Sequence, residues 1–146
     1  MQAVLSAKDL GDAFLRWLRL GVLTHKVIIN DAKAKVHSVA GTAFLVTPGI
    51  FQRYAQEHPE LARMAKEAGT TDWRWVQRCF EKLGQHEKSA DGMNIWACEV
   101  RGPRKTRDIR GYLLKDPLQI FTEKPYDNPY LTLKGSTIIK DEAPCI

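Results

Sequence analysis

The fold is decided by residues 71–115, TDWRWVQRCFEKLGQHEKSADGMNIWACEVRGPRKTRDIRGYLLK. The first part carries an apolar helical stripe made of Trp73, Val76, Phe80 and Leu83. Residues 93–100 and 110–114 alternate between apolar and polar side chains, which predicts two strands. The hairpin between them is strongly basic and contains Arg101, Arg104, Lys105, Arg107 and Arg110. A helix followed by a hairpin with a basic tip is typical of a winged helix-turn-helix.

Two helices are predicted upstream of this stretch. The second of them forms the helix-turn-helix together with the first helix of the stretch itself. Thr47-Pro48 predicts the start of one helix, since Thr caps helices and Pro suits the first helical position. Pro59 begins a second, short helix that ends at Gly69, and a third helix runs from about Asp72 to Leu83. The helix-turn-helix is therefore placed at 59–83 and the wing hairpin at 93–115.

The N-terminal part predicts a supporting helix and a small sheet. An apolar stripe predicts an amphipathic helix over about 7–20, and it consists of Leu10, Phe14, Trp17 and Leu18. Short strands are predicted at 27–29, 35–39 and 43–46, with the last two forming a hairpin around Gly41. We therefore expect an α+β winged-helix domain over 7–121. Residues 122–146 are rich in proline and polar residues and predict an extended or disordered tail.

Composition indicates one globular domain with a preference for anionic partners. The chain has 146 residues, a net charge of +5 and a pI of about 9.2, which favours an anionic partner over none, although a merely solvated basic surface is the alternative. Its three cysteines are widely spaced and form no CxxC, which argues against disulfides and zinc. With no run of 18 apolar residues, we expect a cytoplasmic protein without membrane partners.

The sequence contains none of the patterns that would predict catalysis. No GxxxxGK[ST] or GxGxxG phosphate loop occurs, and the four histidines form neither HxxxH nor HExxH. Cys79 and Cys98 lie beside apolar positions and are expected to be buried, not nucleophilic. We therefore expect no catalytic residue, no metal, no cofactor and no small-molecule substrate, and we expect the chain not to be an enzyme.

The five basic residues of the wing are candidates for contacts with DNA phosphates. They are Arg101, Arg104, Lys105, Arg107 and Arg110, and a single acid, Asp108, lies among them. Each phosphate neutralised releases counterion and steepens the salt dependence by about 0.9 log unit. The alternative is a charged loop that keeps the sheet edge soluble. The adjacent helix-turn-helix pattern favours DNA.

The polar side of the third helix is the second candidate surface. Its groove-facing residues are predicted to be Arg74, Gln77, Arg78 and Lys82. Arg and Gln side chains can make paired hydrogen bonds to guanine and adenine edges in the major groove. Every amphipathic helix has a polar face, however, and winged helices also bind proteins. A protein-docking role for the helix or the wing is therefore the alternative.

Six runs of sequence carry a family resemblance. They are WLRLGV (17–22), INDAKAKVHSV (29–39), FLVTPGIF (44–51), WVQRCFEKLGQH (75–86), IWACEVRGPRKTRDIRGYLL (95–114) and NPYLTL (128–133). In this order they resemble the C-terminal domain of the MobH-class relaxases of integrating conjugative elements, which are also labelled helicases. The resemblance covers most of the chain.

The resemblance implies a winged-helix module at the end of a bacterial DNA-processing protein that acts in horizontal gene transfer. In that family the relaxase chemistry is assigned to a separate, metal-dependent N-terminal domain with a His-Asp signature. These 146 residues contain no such pair, so no catalytic residue is carried over. The partners implied are DNA and, as the alternative, the N-terminal relaxase domain or other transfer proteins.

Overall fold

In the computed structural model, which describes residues 7–134, helices and strands are both present, as the α+β prediction requires. The helices are α1 (Ala7–Leu23), α2 (Gly49–Glu57), α3 (Leu61–Glu67) and α4 (Asp72–Leu83). The strands are β1 (Val36–Val39), β2 (Thr42–Val46), β3 (Trp96–Arg101), β4 (Thr106–Leu113) and β5 (Leu131–Leu133). A 3-10 turn at Pro117–Gln119 follows β4. The predicted N-terminal helix and the hairpin over 35–46 are confirmed.

The five strands form one antiparallel sheet in the order β1-β2-β4-β3-β5. The predicted hairpin over 93–115 is present, and its register pairs Trp96 with Gly111 and Arg101 with Thr106. Strand β2 pairs with β4, so the N-terminal hairpin and the basic hairpin share one sheet. Gly111 permits this close approach, because a Cβ at that position would overlap the Leu45 carbonyl oxygen.

The helices cover one face of the sheet and enclose the larger core. Helix α4 lies at the centre of this layer and packs against α1, α2 and α3. The ring of Phe80 lies 5.8 Å from Phe14, 5.7 Å from Phe51 and 5.1 Å from Tyr112, measured between centroids. Burial of such a side chain contributes about 1.5–3 kcal/mol, so this aromatic cluster holds α4 against the sheet.

The other face of the sheet is buried because the sheet curls over it. A second cluster of buried residues fills the concave side, consisting of Val39, Phe44, Cys98, Leu113 and Leu131. The two ends of the strand order approach one another: the Asn128 N–H donates to the Ser38 carbonyl at 2.7 Å, and the Ser38 hydroxyl lies 3.0 Å from an Asp127 carboxylate oxygen. All four residues of β1 are buried as a result.

Several segments differ from their predicted structure. In the basic hairpin, residues 93–95 lie outside β3, and β4 begins at Thr106, before the predicted start at 110. Residues 27–29 form no strand, and only Ile29 makes an isolated parallel bridge, to Val36. Asn30 follows with a φ of 57° and accepts a hydrogen bond from the Ser38 N–H at 2.7 Å, so the chain turns instead of extending. Residues 122–134 are extended as predicted, but β5 pairs with β3. Residues 135–146 of the predicted tail lie outside the described residues.

Within residues 7–134, no helix has the length and the continuous apolar surface required to cross a lipid bilayer.

Candidate nucleic-acid interface

The tip of the β3–β4 hairpin projects into solvent. The Gly102 N–H donates to the Lys105 carbonyl at 3.0 Å and closes the turn immediately after the last ladder pair. Every residue from 101 to 108 is exposed. We name this hairpin, residues 96–113, the wing. Its exposed tip is where Arg104 and Lys105 lie, so the structure presents these two cations as the sequence predicted.

Strand alternation divides the remaining wing cations between the two faces of the sheet. Arg107 pairs with Val100, on the concave face that also carries Ile109. Arg110 lies two residues before Tyr112, and therefore on the face that is covered by the helices. The five predicted phosphate-binding residues consequently surround the hairpin and do not form a single row.

The hydrogen bonds of the wing leave its positive charge in place. One guanidinium nitrogen of Arg107 donates to the Ala32 carbonyl at 3.2 Å, and one of Arg101 donates to the Pro129 carbonyl at 3.3 Å. Both acceptors are neutral. Asp108, the acid within the tip, forms an exposed ion pair with Lys134 at 3.1 Å. Lys134 therefore compensates the carboxylate of Asp108, while the second carboxylate of the wing, that of Glu99, lies opposite Asp108 in the ladder.

Helix α4 exposes three of its four predicted groove-facing residues. Arg74, Arg78 and Lys82 are exposed and recur every four residues, which places them along one stripe. Gln77 does not face outward as expected: its amide nitrogen donates to the Tyr112 hydroxyl at 2.7 Å. The polar flank of α4 next to β4 is thus used for packing, because the buried hydroxyl requires hydrogen-bonding partners.

Tyr112 links α4 to β4 through a small polar network. Its hydroxyl donates to the Glu81 carboxylate and accepts from Gln77. Burial raises the pKa of the Tyr112 phenol, and the hydrogen bond to Glu81 raises it further. The phenol is consequently a stable donor across the physiological pH range. Glu81 therefore has a structural role, because its carboxylate accepts the hydrogen bond from this hydroxyl.

The cysteines and histidines form no reactive centre in the described part of the chain. Cys79 and Cys98 are buried as predicted, and burial raises the pKa of both thiols, that of Cys98 to about 12. Both therefore remain protonated and unreactive at neutral pH. Among residues 7–134, no three or more His, Cys, Asp or Glu side chains are grouped in a way that could hold a metal ion.

A cleft of about 910 Å³ lies beside the wing tip. Three segments border it: the tip itself, the turn at 30–32 and residues 128–131 ahead of and within β5. We name it the wing cleft. Its lining includes His37, Asn128 and Tyr130, none of which was predicted as a site residue. Only the curl of the sheet brings these distant residues together, so no local sequence pattern could have indicated them. The one available signal was an aromatic residue, Tyr130, in a segment otherwise interpreted as tail.

Comparison with protein families identifies the chain. Residues 9–133 match the family TraI_2_C, described as "Putative conjugal transfer nickase/helicase TraI C-term". The chain belongs to this family. The match confirms the resemblance to the C-terminal domain of a conjugative relaxase. The TraI_2_C domain is thus the C-terminal domain of a conjugal transfer nickase/helicase.

A solved structure supports the fold of this TraI_2_C domain. The chain is similar to the crystal structure of the C-terminal domain of the Salmonella enterica protein STY4665. The two share 29% sequence identity with a TM-score of 0.70, and the alignment covers 88% of this chain and 99% of that one. No curated protein matches the chain significantly.

The TraI_2_C domain also has large apolar side chains that are exposed to solvent. Four large apolar side chains are exposed near the end of α1 and the 3-10 turn: Leu20, Leu23, Ile28 and Leu118. Two of them, Leu23 and Ile28, border a cavity of about 630 Å³ together with Val22 and Phe121. We name this surface the apolar patch. Trp75 of α4 adds nothing to this surface, because it is half-buried against the core.

Proposed function

We propose that this domain is a non-catalytic, DNA-binding winged helix that holds the phosphate backbone with its basic wing. The observation that carries the proposal is the exposed wing tip, whose single carboxylate is compensated by Lys134. Cations on a projecting hairpin can follow a phosphate backbone without reading its sequence. We therefore expect binding with weak or no sequence preference.

The order of the elements supports a winged helix. Helices α3 and α4 are followed directly by the β3–β4 hairpin. Strand β2, which precedes those helices, pairs with β4 on the side opposite β3. A winged helix has this sheet order, with the strand from before the helix-turn-helix beside the second strand of the wing. The β1 strand, β5 and the longer connection at 24–35 are then additions to it.

Within this proposal α4 is the helix that enters the major groove. Arg74, Arg78 and Lys82 form the contact stripe, and all three are exposed. Gln77 acts differently from our expectation, because its hydrogen bond to Tyr112 fixes the angle between α4 and β4. The wing contributes Arg101, Arg104, Lys105, Arg107 and Arg110 to phosphate contacts.

Family membership supplies the context of the proposed activity. We propose that the parent protein is a MobH-class relaxase of an integrating conjugative element, acting in the bacterial cytoplasm. Its DNA cleavage would be carried out by another domain. The domain described here would hold DNA for that chemistry and would require no cofactor of its own.

The proposal is tested by fluorescence anisotropy with a short labelled duplex at several salt concentrations. The test variant replaces Arg104, Lys105 and Arg107 with Ala. We expect weaker binding and a log K versus log salt slope that is shallower by about 2.7, since each phosphate contact contributes about 0.9. The matched control replaces three exposed cations outside the helix-turn-helix and the wing: Lys8, Arg16 and Lys26. Absence of binding at low salt, or an equal effect of both triple variants, would contradict the proposal.

The apolar patch supports a second candidate function, which is docking of another protein. Exposed large apolar side chains around a cavity are typical of protein interaction sites. The partner would be the rest of the relaxase or another transfer protein. In that case wild-type protein would not bind DNA, and polar replacements of Leu23 and Ile28 would abolish association with the partner.

A further inference from the structure

We propose that the wing cleft holds an unpaired nucleotide of a DNA strand, with the base stacked on Tyr130 and the adjacent phosphates bound by wing arginines. This inference rests on the proposed DNA binding and adds that the nucleotide bound in the wing cleft is unpaired. It gives β5 and the turn at 30–32 a role in DNA binding, in addition to the surface formed by α4 and the wing.

The wing cleft has the dimensions of a small-molecule site. Its volume of about 910 Å³ is within the range of pockets that enclose ligands of nucleotide size. A base inside a duplex is stacked between its neighbours and cannot enter such a cleft. A base from a single strand can do so at little cost, whereas a paired base must first be unstacked and unpaired.

Away from the wing tip and Asp31, the lining of the wing cleft is uncharged and largely apolar, and it includes Val100, Leu131 and two buried polar side chains. These two are His37 and Asn128, and both are more than nine-tenths buried. They satisfy one another, because the Asn128 amide nitrogen lies 3.3 Å from the His37 Nδ1. Burial lowers the pKa of His37, which keeps its ring neutral at physiological pH. A neutral lining suits the planar, uncharged part of a nucleotide and not its phosphate.

The rim of the wing cleft is positively charged. Four cations border it, namely Arg101, Arg104, Lys105 and Arg107, against one carboxylate, that of Asp31. Two of these arginines are held in place by hydrogen bonds to backbone carbonyls. A ligand that combines an uncharged group with anionic groups on one side matches this lining, and a nucleotide in a strand is such a ligand.

Tyr130 supplies the aromatic surface. It lines the wing cleft and remains 62% exposed. Its backbone is fixed on both sides, since its N–H donates to the Asn128 side chain at 2.9 Å and its carbonyl accepts from the Arg101 N–H at 2.8 Å. Because every base has an aromatic face, stacking on Tyr130 would accept any base.

Anisotropy with a labelled oligothymidylate and with a duplex of equal length tests the inference. Replacement of Tyr130 by Ala removes the stacking surface, and we expect about tenfold weaker binding of the single strand with duplex binding within about twofold of wild type. The Tyr130→Phe variant keeps the ring and should bind like wild type. The control is Tyr126→Ala, because Tyr126 is 95% exposed and lies outside the wing cleft.

A second variant tests the cleft independently of Tyr130. Ala32 is exposed at its edge, so Ala32→Trp should obstruct the opening and weaken single-strand binding without an effect on the duplex. If neither Tyr130→Ala nor Ala32→Trp affects the single strand, the inference is wrong while the proposed function stands. If Tyr130→Ala weakens both DNA forms equally, the assignment of an unpaired nucleotide is likewise wrong. If wild type binds neither form at low salt, both proposals fail.

Discussion

His37 is a titratable side chain whose environment favours the uncharged form. It is 4% exposed on β1, facing the wing cleft. Desolvation lowers its pKa most, and the charges of Arg107 and Lys35 lower it further. A hydrogen bond to the Ala34 backbone and the charge of Asp31 act in the opposite direction without outweighing burial. Protonation of His37 is therefore coupled to unfolding.

The fold should lose stability as the pH falls through the range in which His37 titrates. In the unfolded chain this residue takes up a proton below a pKa of 6.5, whereas the folded state resists it until lower pH. The stability contribution is thus complete above pH 6.5 and declines below it, by about 1.4 kcal/mol for each unit of pKa difference. Urea unfolding at a series of pH values measures the decline.

Histidine variants provide the control for this titration. The His37→Gln variant should show a flatter decline in unfolding free energy below pH 6.5 than the wild type. His25→Gln, at an exposed position, should retain the wild-type decline. Identical pH profiles for wild type and His37→Gln would show that this residue is not the source.

Gln77 illustrates what residue spacing can and cannot predict. The apolar stripe of α4 correctly predicted that Val76 and Phe80 face the core. The polar positions on either flank of that stripe look alike in sequence, yet one flank meets β4. There the buried Tyr112 hydroxyl requires partners and recruits Gln77 and Glu81. The pairing of Gln77 depends on a residue 35 positions away along the chain. The spacing of residues within α4 carries no information about that partner.

At the scale of secondary-structure elements, the short strand β5 closes one of the two cores of the domain. It has three residues, yet it pairs with β3 and contributes Leu131 to the concave core. The segment that precedes it connects the sheet ends through Asp127 and Asn128. This strand and its approach therefore close the second core, which the helices do not cover.

Replacement of Leu131 by Ala should lower the free energy of unfolding by about 2–4 kcal/mol, because it leaves a cavity under the curled sheet. Leu131 is 7% exposed within that core. The neighbouring Thr132 is exposed, and Thr132→Ala should change stability by no more than about 0.5 kcal/mol. Denaturant unfolding of both variants measures the difference. Equal and small effects would mean that β5 is dispensable for folding.

Most of the elements could be predicted, but the curl of the sheet could not. Helical periodicity located α1, α3 and α4 closely, and alternation located the β3–β4 hairpin. Strand β5 was not predicted, because a strand of three residues is too short to show an alternation of apolar and polar side chains. The wing cations were identified from charge alone, whereas the wing cleft required His37, Asn128 and Tyr130 to meet across the sheet.

At the scale of the whole molecule, the proposed DNA contact depends on cooperation between the wing and α4. Arg110 extends from the face of β4 that also carries Tyr112, the residue to which Gln77 of α4 is hydrogen-bonded. Arg107 lies on the opposite face, towards the wing cleft. This arrangement favours a strand of DNA that passes over the wing tip from one side to the other.

Changes to both cation sets should act additively on the salt dependence if one duplex contacts both. Replacing Arg74, Arg78 and Lys82 with Ala should reduce the slope by about 2.7, and combination with the wing triple variant should reduce it by about 5.4. Anisotropy titrations over a range of salt provide the slopes. If the α4 variant leaves the slope unchanged, the helix does not contact phosphates and the wing binds alone.

The position of β5 at the margin of the sheet has a consequence for self-association. Its ladder pairs with β3 from Cys98 to Val100, and it leaves a strand of only three residues at the margin of the sheet. A long strand with free N–H and C=O groups is a template for another copy of the same protein. Proteolytic loss of residues 131–134 would uncover such a template on β3, so intact β5 protects the domain against strand exchange and aggregation.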